Sequence, residues 1–328
     1  MSQVQTLTVG QGDDGARLDR WFKKRFPHIN HGQVQKLLRT GQIRVDGGRA
    51  KPDTRLEAGQ EIRIPPLPEP TEVKAKDSIS REDAAMVRKM VIYEDDDLIA
   101  FNKPYGLAVQ GGTKTTQHLD RLLAAFGKDD MKPRLVHRLD RDTSGVIIAA
   151  KTLESASRLA KAFQNKAAEK TYWSVVLGVP RPKTGEVKGF IKKSSAGKGG
   201  ADREIMVPAE HGDPDAQYAR TLYTTAGEAG QKASFVVLRP ITGRTHQLRV
   251  HMAGIGHAIL GDGKYTCDRE TPGGLEQKLH LHARRLVLPL GKRNLVLEAP
   301  LPDHMKRTFD KLGFDPDVID ESAIEDLL

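Results

Sequence analysis

Residues 134–151 read Arg-Leu-Val-His-Arg-Leu-Asp-Arg-Asp-Thr-Ser-Gly-Val-Ile-Ile-Ala-Ala-Lys, a charged segment that runs into an apolar one. The apolar run from Val146 to Ala150 follows a Thr-Ser-Gly turn and predicts a buried strand. Burying an unpaired carboxylate beside such a strand costs several kcal/mol. Asp140 therefore needs a charged partner or a chemical role.

The length and composition of the chain exclude several classes of protein. With 328 residues it is long enough for two or three domains, and its 38% apolar content is enough for packed cores. No apolar run approaches the ~18 residues that a membrane-spanning helix needs, and the N-terminus lacks a secretory pattern. The single cysteine, Cys267, excludes an internal disulfide and an all-cysteine metal site. We therefore expect a soluble cytoplasmic protein without a membrane partner.

Positive charge is concentrated near the N-terminus. The chain carries 52 Lys+Arg and 43 Asp+Glu, a net charge of +9. Residues 17–65 hold 12 basic and 5 acidic residues, a net charge of +7, whereas residues 310–328 hold 1 lysine and 7 acids, a net charge of −6. The basic segment is typical of a surface that binds a polyanion, although an ordinary solvated face accounts for it equally well. We expect the acidic end to be a disordered tail rather than a site.

Residues 17–65 predict a small α+β unit. Apolar residues in Leu18–Phe26 lie at helical spacing, and a second helix ends at Gly41, where a strand with an Asp-Gly turn follows. This order of elements, together with Arg17-Leu-Asp and Ile43-Arg-Val-Asp-Gly, resembles an S4-type RNA-binding domain.

The S4 resemblance implies that the second helix and the loop after it press basic side chains against RNA phosphates. Contacts of this kind position a protein on RNA without reading its sequence. The candidate RNA-binding residues are Lys36, Arg39 and Arg44, with Arg20 and Lys24 behind them.

Four segments in the rest of the chain resemble the RNA pseudouridine synthases, specifically the branch that modifies large-subunit ribosomal RNA. They are Asn102-Lys-Pro-Tyr-Gly, His137-Arg-Leu-Asp-Arg-Asp-Thr-Ser-Gly145, Glu169-Lys-Thr-Tyr172 and Thr242-Gly-Arg-Thr-His-Gln-Leu-Arg-Val-His251. Gly261-Asp-Gly-Lys-Tyr265 and Leu281-His-Ala283 agree more weakly. The first segment favours the C-type of this branch, with the D-type as the near alternative.

Many predicted strands and few predicted helices follow Met90, which indicates an α+β fold. We expect a small S4-like α/β domain tethered to a pseudouridine synthase domain that has a long mixed or antiparallel sheet flanked by helices. The predicted segments are an N-terminal extension at 1–16, the S4-like domain at 17–65, a Pro-rich and polar linker at 66–88, the synthase domain at 89–309 and an acidic tail at 310–328.

The pseudouridine synthase resemblance implies a role for each of four residues. Asp140 matches the catalytic carboxylate, which can act as a nucleophile or as a base. Arg249 matches the arginine that pairs with it and keeps it ionised, and Tyr172 matches the tyrosine that stacks on the target base. Arg138 matches the arginine that fills the place of the flipped base. The structural alternatives are a plain ion pair for Asp140, a core tyrosine at position 172 and an ordinary phosphate contact for Arg138.

The expected activity is the isomerisation of uridine to pseudouridine in large-subunit ribosomal RNA by a monomeric enzyme. Uracil itself can hold the negative charge that develops, so we expect no cofactor. His246 and His251 lie five residues apart, point in different directions on a helix and lack further metal ligands, so both are expected to be structural. The alternatives are a catalytically idle RNA-binding ribosome-assembly factor on the same fold and, more remotely, a DNA-binding protein.

Overall fold

The structure is a computed structural model that describes residues 4–29, 31–68, 79–111, 117–127, 132–194, 205–290, 293–317 and 322–327. By its internal contacts the chain divides into two compact units, Met1–Lys76 and Asp77–Leu328. Within the described ranges, no helix is both long enough and apolar enough to cross a membrane.

The N-terminal unit packs two helices against a four-stranded antiparallel sheet. Its elements are β1 (Gln5–Thr8), α1 (Leu18–Arg25), α2 (His31–Arg39), β2 (Arg44–Val45), β3 (Gly48–Arg49) and β4 (Glu61–Ile64). The strands lie in the order β1-β4-β2-β3. Leu18, Trp21 and Phe22 of α1 are buried against Ile43 and Ile62, as the helical spacing of the apolar residues predicts. The basic residues of both helices remain on the outer surface.

Two predicted boundaries around this unit are wrong. The predicted extension, 1–16, contributes β1 and the buried Val9 to the unit because β1 pairs with β4. The predicted linker, 66–88, is too long because α3 (Arg81–Lys89) forms within the second unit. Residues 69–78 of that linker lie outside the described residues.

The second unit is built on one long mixed sheet. Its strands are β5 (Val91–Glu94), β6 (Leu98–Lys103), β7 (Arg134–Leu135), β8 (Ser144–Ala150), β9 (Glu169–Leu177), β10 (Thr184–Ser194), β11 (Ile205–Ala209), β12 (Gln217–Ala229), β13 (Ala233–Pro240), β14 (Leu281–Leu290) and β15 (Arg293–Glu298). The order is β11-β10-β12-β13-β9-β14-β8-β6-β5, with β15 beside β14 and β7 beside β8. All described pairs are antiparallel except β14 with β8. The predicted α+β fold with a long mixed sheet is confirmed.

Helices cover the faces of this sheet and bury its central strands. They are α3, α4 (Leu119–Leu122), α5 (Leu153–Gln164), α6 (Gln247–Gly254), α7 (Asp303–Leu312) and α8 (Ser322–Glu325). Strand β8 is buried along its whole length because Ile147 and Ala149 face one core while Val146 and Ile148 face another. The apolar run that follows Asp140 is therefore covered on both sides, as its sequence predicts.

The prediction of a disordered acidic tail at 310–328 is wrong at its described apolar positions. Helix α7 continues to Leu312, and Phe314 and Ile324 are buried in the same core as Phe235. These two side chains fix the described parts of the tail to the sheet, while Asp315 and Asp317 face solvent.

Strand β8, which follows the charged segment, begins where its backbone passes close to that of β14. Gly145 has φ +110, and a Cβ there would lie 2.2 Å from the carbonyl oxygen of Ala283. A side chain at this position would push the two parallel strands apart. Gly145 therefore fixes where β8 starts, and with it the position of the loop that carries Asp140.

Buried histidines hold the second unit together through hydrogen bonds. His280 contacts Thr308 of α7 at 2.8 Å, and His282 contacts Ser144 at 2.8 Å. Burial lowers the pKa of both His280 and His282 to about 4. Both side chains are therefore neutral in the folded protein at neutral pH.

These histidines make the stability of the second unit depend on pH. An unfolded histidine has a pKa of about 6.5, so the unfolded chain binds protons more readily than the folded one, and stability is lost as pH falls from about 6.5 towards 4. We expect the free energy of unfolding in urea to fall by about 1–2 kcal/mol for each such histidine between pH 7 and pH 5. His280→Asn should reduce this pH dependence, whereas His211→Gln, at an exposed position, should not. If the free energy of unfolding depended equally on pH in both variants, the assignment of this dependence to His280 would be contradicted.

Candidate active site

A pocket of about 490 Å³ opens on the second unit beside the start of β8. Its walls come from the loop before β8, from β9 and from the segment between β13 and the first turns of α6. The structure brings four sequence-predicted residues to this pocket, namely Asp140, Tyr172, Arg249 and Arg138. Pockets of this size are typical of small-molecule or nucleotide sites.

Asp140 faces the pocket and contacts Arg249. An Arg249 nitrogen, Nη1, lies 3.4 Å from Oδ2 of Asp140. The Asp140 side chain is 17% exposed and that of Arg249 only 6% exposed. The predicted pairing of the two residues is therefore present, through a single long contact.

The bidentate partner of Arg249 is a second carboxylate, Asp262. Its two oxygens accept hydrogen bonds from Nε and Nη2 of Arg249, both at 2.7 Å, and its side chain is fully buried. Burial disfavours the charged guanidinium, but the hydrogen bonds and negative charge of Asp262, with a smaller contribution from Asp140, raise the pKa of Arg249. Arg249 is thus a permanently charged bridge between two acids.

Asp262 is a member of this ion-pair network that the sequence did not single out. Its signal was the weakly matching Gly261-Asp-Gly-Lys-Tyr265 segment, to which no role was attached. Gly261 has φ +75, and a Cβ there would lie 2.0 Å from the carbonyl oxygen of Lys278. Only glycine allows the chain to pass Lys278 at this point and place Asp262 against Arg249.

Lys103, in the Asn102-Lys-Pro segment, holds the Asp140 loop from behind. Its Nζ donates hydrogen bonds to the carbonyl oxygens of Pro104 at 3.1 Å, Leu107 at 2.8 Å and Arg141 at 2.8 Å. Burial lowers its pKa to about 7, with opposing contributions from Asp142 and Asp140. All three donors of the ammonium are used internally, so Lys103 positions the loop rather than contacting a substrate.

Tyr172 forms one wall of the pocket. It lies on β9 between β13 and β14, opposite Leu238 and Ala283. Burial, together with the nearby charge of Asp140, raises the pKa of Tyr172 above its usual value. The phenol is therefore neutral at physiological pH and offers a flat ring with a proton-bearing hydroxyl beside the carboxylate.

Arg138 and His246, two further residues that the sequence analysis considered, lie in different surroundings. Arg138 is exposed at the mouth of the pocket. His246, predicted to be structural, bonds the Tyr265 hydroxyl through Nδ1 at 2.7 Å, and its Nε2 lies 3.8 Å from Oδ2 of Asp140. Burial lowers the pKa of His246. It borders the Asp140 carboxylate as a neutral ring.

The remaining predicted RNA-binding residues belong to the N-terminal unit, and the structure sorts them into two groups. Lys24 pairs with Asp13 at 3.1 Å, and Arg44 donates to the carbonyl oxygens of Gly41 and Gly47. Arg20, Lys36 and Arg39 are exposed, and none of these three side chains has a hydrogen-bond or ion-pair partner within the described ranges. This second group is available to an external anion.

No cluster of three or more histidine, cysteine, aspartate or glutamate side chains among the described residues has metal-binding geometry. The pocket is instead lined by one carboxylate, one buried phenol, two histidines and five cationic side chains, of which Arg249 pairs with the carboxylate. Such a set supports nucleophilic or acid–base chemistry on a flat ring.

Comparisons with known proteins agree with this site. A family model described as RNA pseudouridylate synthase matches residues 97–254. The ribosomal large subunit pseudouridine synthase C of Rickettsia bellii is 36% identical over 300 residues, which cover 89% of this chain and 96% of the relative. The proteins of the same name from Vibrio cholerae and Escherichia coli O157:H7 are both 32% identical, over 95% and 94% of this chain and 98% and 97% of theirs.

A solved structure shares the fold of the second unit. Human RNA pseudouridylate synthase domain containing 4 superposes with a TM-score of 0.59 at 30% identity, covering 70% of this chain and 95% of that one. The resemblance predicted from the four motifs, with its C-type preference, is confirmed by these relatives. The chain belongs to the RNA pseudouridine synthase family, together with the large-subunit synthases named C.

Proposed function

We propose that this chain isomerises specific uridines to pseudouridine in large-subunit ribosomal RNA. The observation that carries the proposal is the ionic bridge from Asp140 through Arg249 to Asp262, set beside Tyr172 in a pocket that admits a nucleotide. The names of the relatives supply the substrate class, because all three are large-subunit synthases.

The reaction rearranges bonds within one nucleotide. The bond between N1 of uracil and C1′ of the ribose breaks, the base turns, and C5 bonds to C1′. C5 loses its proton and N1 gains one, so atoms and charge balance without an external electron carrier. The residues of this chain must therefore extrude the base, hold it, offer a carboxylate and move one proton.

Each pocket residue fits one of these tasks. Asp140 supplies the carboxylate, either as nucleophile towards the sugar or base, or as the group that removes the proton. Arg249 pairs with it in a half-buried place, where an opposite charge offsets the cost of burying a carboxylate. Tyr172 offers a ring for the base to stack on, and the exposed Arg138 can occupy the gap that the flipped base leaves.

The N-terminal unit is proposed to act as an S4-type RNA grip. It has the predicted two helices and small sheet, and Lys36 and Arg39 stand free on the outside of α2. An RNA phosphate would give these unpaired cations the partners that the protein does not supply.

We further infer that the protein works as a monomer in the cytoplasm.

Asp140→Asn should abolish pseudouridine formation while keeping the fold, because the amide has the same shape but cannot act as nucleophile or base. Pseudouridine is mapped in large-subunit RNA from cells that lack this chain and then express the wild type or the variant. Sites that return only with the wild type would support the assignment. Sites restored by the variant would rule out Asp140, and no lost sites would favour the idle assembly factor.

Asp262→Asn should slow the reaction about 10–100-fold at saturating RNA, because Arg249 loses its bidentate anchor and displaces Asp140. RNA affinity should stay within about twofold of wild type, since Asp262 is fully buried. Glu298→Gln, which alters an exposed ion pair with Arg284, is the control. Single-turnover rates and binding titrations separate the two effects. A loss of affinity at an unchanged rate would contradict this positioning role.

Replacing Lys36 and Arg39 together by alanine should weaken binding to a long large-subunit RNA fragment and reduce its salt dependence. Each lost phosphate contact lowers the slope of log affinity against log salt by about 0.7–0.9. Lys24→Ala is the matched control because Lys24 already pairs with Asp13. Binding of a short stem-loop that spans only the target should change little. Equal losses on both RNAs would contradict a separate grip.

A further inference from the structure

Lys170 is a basic residue of the active-site pocket to which the motifs attached no role. It is the second residue of β9 and shares a face with Tyr172, since side chains two apart on a strand point the same way. Its ammonium lies beside the loop that enters α6, where a Cβ built on Gly243 would be 3.7 Å from Nζ. Lys170 thus stands in the wall of the pocket that carries the tyrosine.

The ammonium of Lys170 has no internal partner among the residues that the structure describes. Within the described part of the chain, no carboxylate lies within ion-pair distance of it and no acceptor hydrogen-bonds to it. Its side chain is half-buried, and burial lowers its pKa. By contrast, the pocket's Arg249 is held by two acids, and Lys103 behind the loop by three carbonyl oxygens. A half-buried, unpaired cation in a pocket is an incomplete site for an anion.

The position of Lys170 indicates which part of an RNA it meets. The described ion-pair partners of Asp140 are His246 and Arg249 and do not include Lys170, so the ammonium does not contact that carboxylate. Arg138 and Lys166 also line the pocket, are exposed and have no acidic partner among the described residues. The half-buried Lys170 and these two exposed residues thus give the pocket three cations that an RNA phosphate could pair with.

We propose that Lys170 binds a phosphodiester of the RNA strand next to the flipped uridine. This inference rests on the proposed function and deepens it. A phosphate fits better than the uracil ring because the ring must lie at Asp140, where the bonds change, while the strand must cross the rim that the cations line. The phosphate would complete the charge pairing that the protein leaves open.

Lys170→Met tests this contact because methionine keeps an unbranched stem and removes the charge. At about 0.1 M salt we expect RNA affinity to fall about tenfold and the slope of log affinity against log salt to flatten by about 0.7. The single-turnover rate at saturating RNA should stay within about twofold of wild type. Lys170→Arg should restore most of the affinity. The matched control is Lys306→Met, at an exposed lysine on α7 that is not part of the pocket.

RNAs that carry one neutral methylphosphonate at successive positions around the target uridine locate the phosphate. Wild-type protein should lose about tenfold in affinity at one position, and Lys170→Met should lose nothing further there. The contact would be overturned if the affinity losses from the methylphosphonate and from Lys170→Met were additive at every position. It would also be overturned if Lys170→Met and Lys306→Met lost affinity equally. A slowed rate with unchanged affinity would place the ammonium at the uracil and overturn it too. If the wild-type protein bound these RNAs but formed no pseudouridine, the proposed function would be refuted and the phosphate contact would not.

Discussion

The guanidinium of Arg249 between Asp140 and Asp262 is the contact on which the site depends. Two carboxylates in a half-buried place would repel each other and resist ionisation, and one permanent cation between them removes both difficulties. The bidentate bonds to Asp262 use the planar shape of the guanidinium and fix its direction. The remaining nitrogen, Nη1, then lies against Asp140, so Asp262 fixes the guanidinium that contacts the Asp140 carboxylate.

The rest of the second unit can be understood as support for this bridge. Gly145 and Gly261 let the backbone pass close enough to neighbouring strands and loops to bring the two acids to opposite sides of Arg249. Lys103 holds the loop of Asp140 by its carbonyl oxygens. The pocket therefore uses two kinds of cation. Those paired inside the protein position the chemistry, and those without partners, such as Lys170, are left for the RNA.

Much of the fold could be predicted because its signals are local. The apolar run after Asp140 is buried on both faces, and the helical spacing in α1 faces the core, since periodicity and burial act over a few residues. Helix α3 was missed because only one of its residues, Val87, is buried and the rest resemble a polar linker. The burial of Phe314 and Ile324 was missed because the acidic residues around them, such as Asp315 and Glu325, resemble a solvated tail.

The sequence by itself determined the family, the residue types of the site and the order in which they occur along the chain. Motifs carry this information because the chemistry needs a carboxylate, an aromatic ring and an arginine whatever surrounds them. Only the tertiary structure decided which groups meet. Asp140 and Arg249 are 109 residues apart, and Arg249 takes its strongest bonds from Asp262. Such pairings follow from strand order and close backbone approach, which depend on contacts across the whole sheet and leave no local pattern.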